Sequence, residues 1–130
     1  MKITDPIKQL DSFTLGYCEI MLADEDVKGK AIVDIAEESM DKIIADCAKF
    51  QSENAELLAK AQLIGDYADY GIETAKEAMG NDFYYTRHHH GVGFWDRNLD
   101  LHDIGDKLTE ACKAYGETWA YIGDDGKVYI

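Results

Sequence analysis

The sequence is short of positive charge. Its 130 residues include 13 Lys and Arg against 26 Asp and Glu, which gives a net charge of −13. Because non-specific nucleic-acid binding depends on Lys and Arg at the phosphates, this balance argues against direct contact with nucleic acid. It also argues against binding to an anionic membrane surface. A basic protein partner, reached by electrostatic steering, is compatible with it.

Cysteine and long apolar runs are also scarce. Cys18, Cys47 and Cys112 are odd in number and widely spaced, and each falls on an apolar helical stripe. This pattern is typical of reduced thiols in a core and not of a disulfide framework. No segment has the pattern of a signal peptide, and no apolar run is long enough to cross a membrane. The sequence therefore predicts a cytoplasmic protein.

Common signatures of catalysis are missing as well. The chain has no GxSxG, no HExxH, no paired CxxC and no phosphate-binding loop that leads into a helix. Cys112 lies on an apolar stripe, which disfavours it as a nucleophile. We therefore expect a protein without enzymatic activity and without a cofactor.

The most distinctive stretch, residues 82–103, reads DFYYTRHHHGVGFWDRNLDLHD. Its segments Asp82–Arg87 and Val92–Arg97 are rich in strand-forming aromatic and β-branched residues. A connection of hairpin length, with a glycine at Gly91, joins them. The pattern predicts a β-hairpin with aromatic side chains on both faces, and hence a sheet that is covered on both sides.

The polar residues of this hairpin allow two interpretations. An Arg87–Asp96 or Arg97–Asp96 ion pair would simply fix the hairpin. However, arginine is suited to bidentate binding of carboxylate or phosphate, and histidine to acid–base chemistry. A nucleotide or another anion would then be bound by Thr86, Arg87, His90, Asp96 and Arg97.

The same stretch contains several residue types that can bind a metal ion: His88, His89, His90, His102, Asp96, Asp100 and Asp103. Neighbouring residues on a strand point to opposite faces, so only His88 and His90 could share one ion. Without a known ligand motif, the sequence favours an exposed loop and no metal. Asp124 and Asp125 lack the further oxygen ligands that Ca²⁺ needs, and this favours a simple turn there.

The first 80 residues are predicted to be helical. A first helix is predicted to begin at Thr4-Asp5-Pro6. A further helical segment ends at Gly80-Asn81. Between them lies a long heptad stripe: Ala36, Met40, Ile43, Cys47, Phe50, Asn54, Leu57, Ala61 and Ile64. The stripe either lies on the core or is the seam of a homodimer, in which Asn54 sets the register.

After residue 97, a helix is predicted from Ile104 to Tyr115, with Gly116 as its end and Asp100 or Asp103 as its N-cap. The strands Thr118–Ile122 and Lys127–Ile130 follow. The turn between them, Gly123-Asp124-Asp125-Gly126, is a strong hairpin signal.

These elements define the expected fold class, α+β, in a single domain over residues 1–130. The helical part, residues 1–80, would pack on a ββαββ unit, residues 81–130. That unit would form a four-stranded, mostly antiparallel sheet.

Several motifs resemble a family of small proteins from tailed bacteriophages. They are D-F-Y-Y-T-R-x-x-H-G-V-G-F-W-D-R at 82–97, G-D-K-L-T-E-A at 105–111 and Y-I-G-D-D-G-K-V-Y at 121–129. Segments at 12–19, 34–36 and 46–51 extend the resemblance over most of the chain. The resemblance also implies Asp11-Ser12 as an alternative start of the first helix. The matching positions are Asp82, Phe83, Thr86, Arg87, His90, Gly91, Gly93, Phe94, Trp95, Asp96, Arg97, Gly105, Asp106, Leu108, Thr109, Gly123, Asp124, Asp125 and Gly126. The resemblance implies a phage accessory protein in the host cytoplasm, and it implies no particular activity.

Charge and resemblance together favour a non-enzymatic protein that binds a host protein. The predicted long helix has an acidic outer face formed by Glu37, Glu38, Asp41, Asp46, Glu53 and Glu56. This face would occupy a basic surface of the host protein and mimic the charge of DNA. In a phage, the natural role is inhibition of a host defence or regulatory factor. The alternative is a protein that binds a nucleotide or another anion at the predicted hairpin.

Overall fold

A computed structural model describes residues 10–89, 91–99 and 103–130. The described part of the chain is helical with one small sheet. Its α-helices are α1 (Ser12–Met21), α2 (Glu37–Glu53), α3 (Ala55–Ala61), α4 (Ile72–Arg87) and α5 (Ile104–Cys112). Short 3-10 turns lie at Glu25–Val27, Ile32–Asp34, Gly65–Asp69 and Phe94–Asp96. The strands β1 (Tyr121–Ile122) and β2 (Val128–Tyr129) pair antiparallel.

The predicted ββαββ unit with its four-stranded sheet is therefore wrong. Residues 82–87 are the last turns of α4, and residues 92–97 form a loop around the short turn Phe94–Asp96. In α4 the buried residues Ala75, Met79, Phe83 and Thr86 recur every three or four positions. This helical spacing places one face against the core, and the burial it achieves outweighs the strand propensity of the Phe-Tyr-Tyr-Thr run.

The two helices α1 and α4 pack side by side and run parallel. Near their N-terminal ends the Ser12 hydroxyl donates a hydrogen bond to Glu73. Further along, the rings of Tyr17 and Tyr84 meet edge to face, with centroids 5.3 Å apart. Both contacts advance towards the C-terminus in α1 and in α4, as they must in a parallel pair of helices.

The backbones of α1 and α4 touch at two glycines. A Cβ atom on Gly16 would lie 2.1 Å from the carbonyl oxygen of Glu77, and one on Gly80 would lie 1.9 Å from that of Phe13. Only glycine allows so close an approach. The predicted helix end at Gly80-Asn81 is therefore wrong: Gly80 is retained inside α4 because it forms this contact.

Replacing Gly80 by alanine should lower the free energy of unfolding by about 1–3 kcal/mol, because the added methyl group would push α1 away from α4. At an exposed helical position the same change would stabilise the protein by about 1 kcal/mol, so the sign of the effect tests the contact. Urea denaturation measures it. Gly91→Ala is the control, since nothing lies within 4 Å of a Cβ atom there. A Gly80→Ala protein as stable as the parent would contradict the close packing.

Helix α1 begins at the second of the two predicted starts. Asp11 is its N-cap, and the Asp11 carboxylate accepts a hydrogen bond from the Thr14 amide at 2.8 Å. This satisfies one of the amides that the first turn of a helix leaves without a partner. The other predicted start, Thr4-Asp5-Pro6, lies outside the described residues.

The predicted long heptad helix is interrupted at Asn54, which separates α2 from α3. The backbone of Asn54 leaves helical geometry, with φ −120°, and its side-chain amide donates to the carbonyl oxygen of Phe50 at 2.9 Å. Asparagine competes for backbone hydrogen bonds in this way, which is why it often ends helices. Asn54 thus ends a helix inside one chain. The homodimer remains a prediction.

The first half of the heptad stripe lies in the core of its own chain. Phe50 is fully buried, and its ring stacks on Phe83 with centroids 4.3 Å apart and on Phe94 at 5.9 Å. Phe13 of α1 and Tyr115, just after α5, complete the cluster around it. Three helices, the Phe94–Asp96 turn and the segment after α5 therefore share one aromatic core.

The predicted C-terminal hairpin is confirmed, in a shorter form. Tyr121 pairs with Tyr129 and Ile122 with Val128. The hairpin attaches to the segment just before α2, because Ile35 forms a bridge with Val128. Helix α5 ends at Cys112, three residues earlier than predicted.

The three thiols are buried and unpaired, as their position on apolar stripes predicted. Burial raises the pKa of both Cys18 and Cys112 to about 12, and it also raises the pKa of Cys47. Thiols with raised pKa values are poor nucleophiles at neutral pH. In residues 10–89, 91–99 and 103–130, no helix is both long and apolar enough to cross a membrane.

Candidate protein-binding surface

Arg87, the first arginine of the predicted ligand site, is a structural residue. It is 3% exposed. Its Nη1 donates to Asp46 at 3.0 Å and to the Tyr17 hydroxyl at 3.2 Å. Its Nε and Nη2 donate to the carbonyl oxygens of Gly116 and Tyr115, at 2.8 and 3.1 Å. Arg87 thus joins α4, α1 and α2 to the chain that follows α5.

Arg97, the second arginine, forms a separate ion pair with Asp82. The Asp82 carboxylate is fully buried and accepts from Arg97 Nε at 2.7 Å and from Nη2 at 3.2 Å. The Tyr67 hydroxyl also donates to this carboxylate. Burial raises the pKa of Asp82, although the hydrogen bonds from Arg97 and Tyr67 act against the shift. The predicted hairpin would have paired Asp96 with Arg87 or Arg97. Instead, Arg87 pairs with Asp46 and Arg97 pairs with Asp82.

The other residues of the predicted ligand site are also dispersed. The Thr86 hydroxyl accepts a hydrogen bond from the Phe94 amide at 3.3 Å and is buried. Asp96 is exposed on the loop, and His90 lies outside the described residues. An anion would need the donors of Arg87 and Arg97, which already bind groups within the chain.

The predicted metal ligands are likewise divided. His88 is buried; its Nδ1 lies 2.8 Å from the carbonyl oxygen of Tyr84, and its Nε2 accepts from the Thr118 amide at 3.0 Å. Burial lowers the pKa of His88, which favours the neutral ring. Both ring nitrogens therefore form structural hydrogen bonds. Of the other predicted ligands, His90, His102 and Asp100 lie outside the described residues. Within the described ranges, no group of three or more His, Cys, Asp or Glu side chains is arranged to hold a metal ion.

The acids predicted to face a partner fall into two groups. Those in the second half of the helical stretch have partners inside the chain. Asp46 pairs with Arg87, Glu53 accepts from the Tyr115 hydroxyl at 3.4 Å, and Glu56 pairs with Lys60 at 3.1 Å. The other group consists of Glu37, Glu38 and Asp41, which are exposed at the start of α2.

The C-terminal hairpin lies directly beside the exposed start of α2. The Ala36 amide donates to the carbonyl oxygen of Val128 at 2.9 Å. One residue beyond β2, the Ile130 amide donates to the Ser39 hydroxyl at 3.1 Å. These bonds join the start of α2 to strand β2 of the hairpin. We call this region the helix–hairpin surface; it consists of Glu37, Glu38, Asp41, Tyr121, Ile122, Asp124, Asp125 and Tyr129.

The helix–hairpin surface also exposes large apolar side chains. Tyr121 is 54% exposed and Ile122 is 43% exposed; Trp119, two residues earlier, is 44% exposed. Exposed apolar surface that is rimmed by polar groups is typical of protein–protein contact sites. Sequence reasoning missed these residues. One signal was available: Tyr121 and Ile122 are adjacent on a strand, so their side chains point to opposite faces and a single covering layer cannot bury both.

Comparison with known proteins adds no assignment. No protein-family profile matches the chain, and no curated protein or solved structure is detectably similar to it.

Proposed function

We propose that this protein binds a basic surface of another protein through the helix–hairpin surface. The observation that carries the proposal is that exposed carboxylates at Glu37, Glu38 and Asp41 and the exposed Tyr121 and Ile122 lie on two elements that backbone hydrogen bonds join. The hairpin acids Asp124 and Asp125 are also exposed. An apolar centre with a charged rim is the common anatomy of a protein–protein interface.

The charge of the chain determines which partners such a surface would accept. With a net charge of −13, the protein repels nucleic acid and acidic proteins and attracts basic ones over distances of about 10 Å at 0.1 M salt. Basic surfaces on proteins are most often sites that bind nucleic-acid phosphates. The proposed partner is therefore a nucleic-acid-binding protein, whose basic site would be occupied by carboxylates in place of phosphates.

The resemblance to small proteins of tailed phages supports a host protein as this partner. Occupying the nucleic-acid site of a host defence or regulatory factor would inhibit it without any catalytic step. We propose this role on the basis of charge and resemblance, in the cytoplasm of the host cell.

Reversing the charge of Glu37, Glu38 and Asp41 to lysine should weaken partner binding at least tenfold and should leave the fold intact, because all three are exposed. Partners are first captured from a host-cell extract on the immobilised protein. The purified partner is then titrated, and its affinity is measured across a range of salt concentrations. Added salt should slow association, as expected for electrostatic steering.

The matched control reverses three exposed acids elsewhere, Asp69, Asp106 and Glu110, to lysine. Both variants change the charge by the same amount, so a non-specific effect of net charge would weaken both equally. A loss confined to the first variant supports the helix–hairpin surface. Equal losses, or unchanged affinity in the first variant, would exclude these residues as the binding site.

The alternative function, binding of a nucleotide or another anion, has less support. It would require Arg87 and Arg97 to release Asp46 and Asp82, and the buried Asp82 carboxylate would then lose its only cationic partner in the described chain.

A further inference from the structure

The hairpin carries a pair of stacked tyrosines at its exposed face. Tyr121 and Tyr129 are opposite each other in the strand register. Their rings are 5.9 Å apart between centroids and only 22° from parallel. Stacked cross-strand aromatic pairs stabilise a hairpin, and here the pair also presents a broad ring surface to solvent. We call it the tyrosine platform.

The hairpin turn holds the platform in place before any partner binds. The Tyr129 hydroxyl donates to Asp125 Oδ2 at 2.7 Å, and the Lys127 amide donates to Asp125 Oδ1 at 3.0 Å. The bond from the Lys127 amide, and to a lesser extent the bond from the Tyr129 hydroxyl, lower the pKa of the Asp125 carboxyl, which therefore stays ionised. Gly123 leaves room for the Tyr129 ring, because a Cβ atom there would lie 2.5 Å from it. A fixed platform loses little side-chain entropy on binding.

The space beside the platform is acidic. An open depression of about 510 Å³ is lined by the two tyrosines and by the turn residues Ile122, Gly123, Asp124 and Asp125. The hydrogen bond to Asp125, and to a lesser extent the negative charge of Glu38 on α2, raise the pKa of Tyr129.

Two lysines oppose these acids. Lys127 belongs to the hairpin, and the Lys30 ammonium lies 3.9 Å from where a Cβ atom on Gly126 would be. Neither lysine lines the depression itself, whose charged lining residues are Asp124 and Asp125. The depression is therefore complementary to a cation.

We propose that the tyrosine platform binds an arginine side chain of the basic partner. This inference rests on the proposed function and specifies how the partner is recognised. A guanidinium is planar and weakly hydrated, so it stacks on a tyrosine ring and still donates hydrogen bonds to a carboxylate at the ring edge. Asp124 is exposed beside the platform, whereas the Asp125 carboxylate already accepts hydrogen bonds from Tyr129 and Lys127. A lysine ammonium cannot stack in this way, so the platform selects arginine over lysine.

The test compares three peptides of equal length, built from arginine, lysine or the neutral isostere citrulline, by calorimetric titration of the full chain. The wild-type protein should bind the arginine peptide more tightly than the lysine peptide, and should not bind the citrulline peptide. Tyr121→Leu keeps the apolar bulk and removes the ring. It should weaken arginine binding by about 2–5-fold and abolish the preference over lysine. Lys127→Gln should tighten binding, since it removes a competing cation.

The outcomes separate this inference from the proposed function. The Glu37, Glu38 and Asp41 reversal is titrated alongside and should weaken both basic peptides. If that reversal weakens binding while Tyr121→Leu leaves the arginine preference unchanged, the platform inference is overturned and the acidic surface stands. Equal affinity of the wild-type protein for the arginine and lysine peptides would also overturn the platform inference. Loss of the preference in Tyr121→Leu, with an unchanged unfolding midpoint, would support it.

Discussion

Replacing Arg97 by methionine should lower the free energy of unfolding by about 3–5 kcal/mol, because it leaves the Asp82 carboxylate buried without its cation. Asp82 has no exposed surface, so water cannot replace the two hydrogen bonds from the guanidinium. The hydroxyl of Tyr67 would remain as a donor, but it carries no charge. Chemical denaturation at about pH 7, where an isolated Asp is ionised, measures the loss.

The loss should depend on pH in a defined direction. Burial raises the pKa of Asp82 above its ordinary value of 3.8, and the bonds from Arg97 act to lower it. Removing Arg97 therefore raises the pKa of Asp82 in the folded protein further. A carboxyl with a raised pKa in the folded state binds its proton more readily there than in the unfolded chain. The deficit of Arg97→Met should be largest above the raised pKa and should shrink as the pH falls towards 3.8.

Two further variants make this prediction specific. Asp82→Asn removes the buried charge and keeps an oxygen acceptor for Tyr67. The double variant Arg97→Met with Asp82→Asn should therefore be more stable at neutral pH than Arg97→Met alone. Lys60→Met is the control, since its pair with Glu56 is exposed and should contribute at most about 0.5 kcal/mol. An Arg97→Met deficit that equals the control, or that does not change with pH, would contradict a stranded carboxylate.

Local sequence signals predicted the ends of the chain's elements where the chemistry is local. The Asp-Gly turn of the C-terminal hairpin and the start of α5 near Ile104 were predicted from residues a few positions apart. Turn and helix-start preferences depend on adjacent residues. The side chain of Asp103, one of the two predicted N-caps of α5, forms no capping hydrogen bond.

The stretch from 82 to 97 was misread because its determinants are distant in sequence. Four consecutive strand-forming side chains favoured a strand. The helix forms instead because Gly80 packs against α1 and Phe83 packs against Phe50. The ion pairs also depend on tertiary packing: Arg87 pairs with Asp46, and Arg97 pairs with Asp82. Neither partner could be chosen from the local pattern, because tertiary burial overrides propensity in short ambiguous segments.

The candidate surface was predictable in part. The acidic residues at the start of α2 were identified from charge alone and are exposed. Asp46 was assigned to the same face, but it follows Asp41 by five residues and so lies about 140° further round the helix, where it pairs with Arg87. The hairpin aromatics were missed because their exposure depends on how β2 attaches next to Ala36, a contact between residues 92 positions apart.

Replacing Phe50 by alanine should lower the free energy of unfolding by about 3–5 kcal/mol, the usual range for a buried phenylalanine. Phe50 has no exposed surface, and four aromatic rings surround it within 6.1 Å between centroids. Because these rings belong to the same chain, they can move only partly into the space that the deleted ring leaves. Urea denaturation followed by circular dichroism measures the loss. Leu63→Ala is the control, since Leu63 is 78% exposed.

The dependence on protein concentration decides between the two interpretations of the heptad stripe. If Phe50 is a core residue of one chain, the unfolding midpoint of both the wild-type protein and Phe50→Ala should stay the same across a hundredfold dilution. If the stripe were the seam of a homodimer, unfolding would be coupled to dissociation and the midpoint would fall on dilution. The packing of Phe50 against Phe13, Phe83 and Phe94 leaves no ring face for a second chain, so we expect no dependence on concentration. A midpoint that falls on dilution in the wild-type protein but not in Phe50→Ala would place this residue at a dimer seam instead.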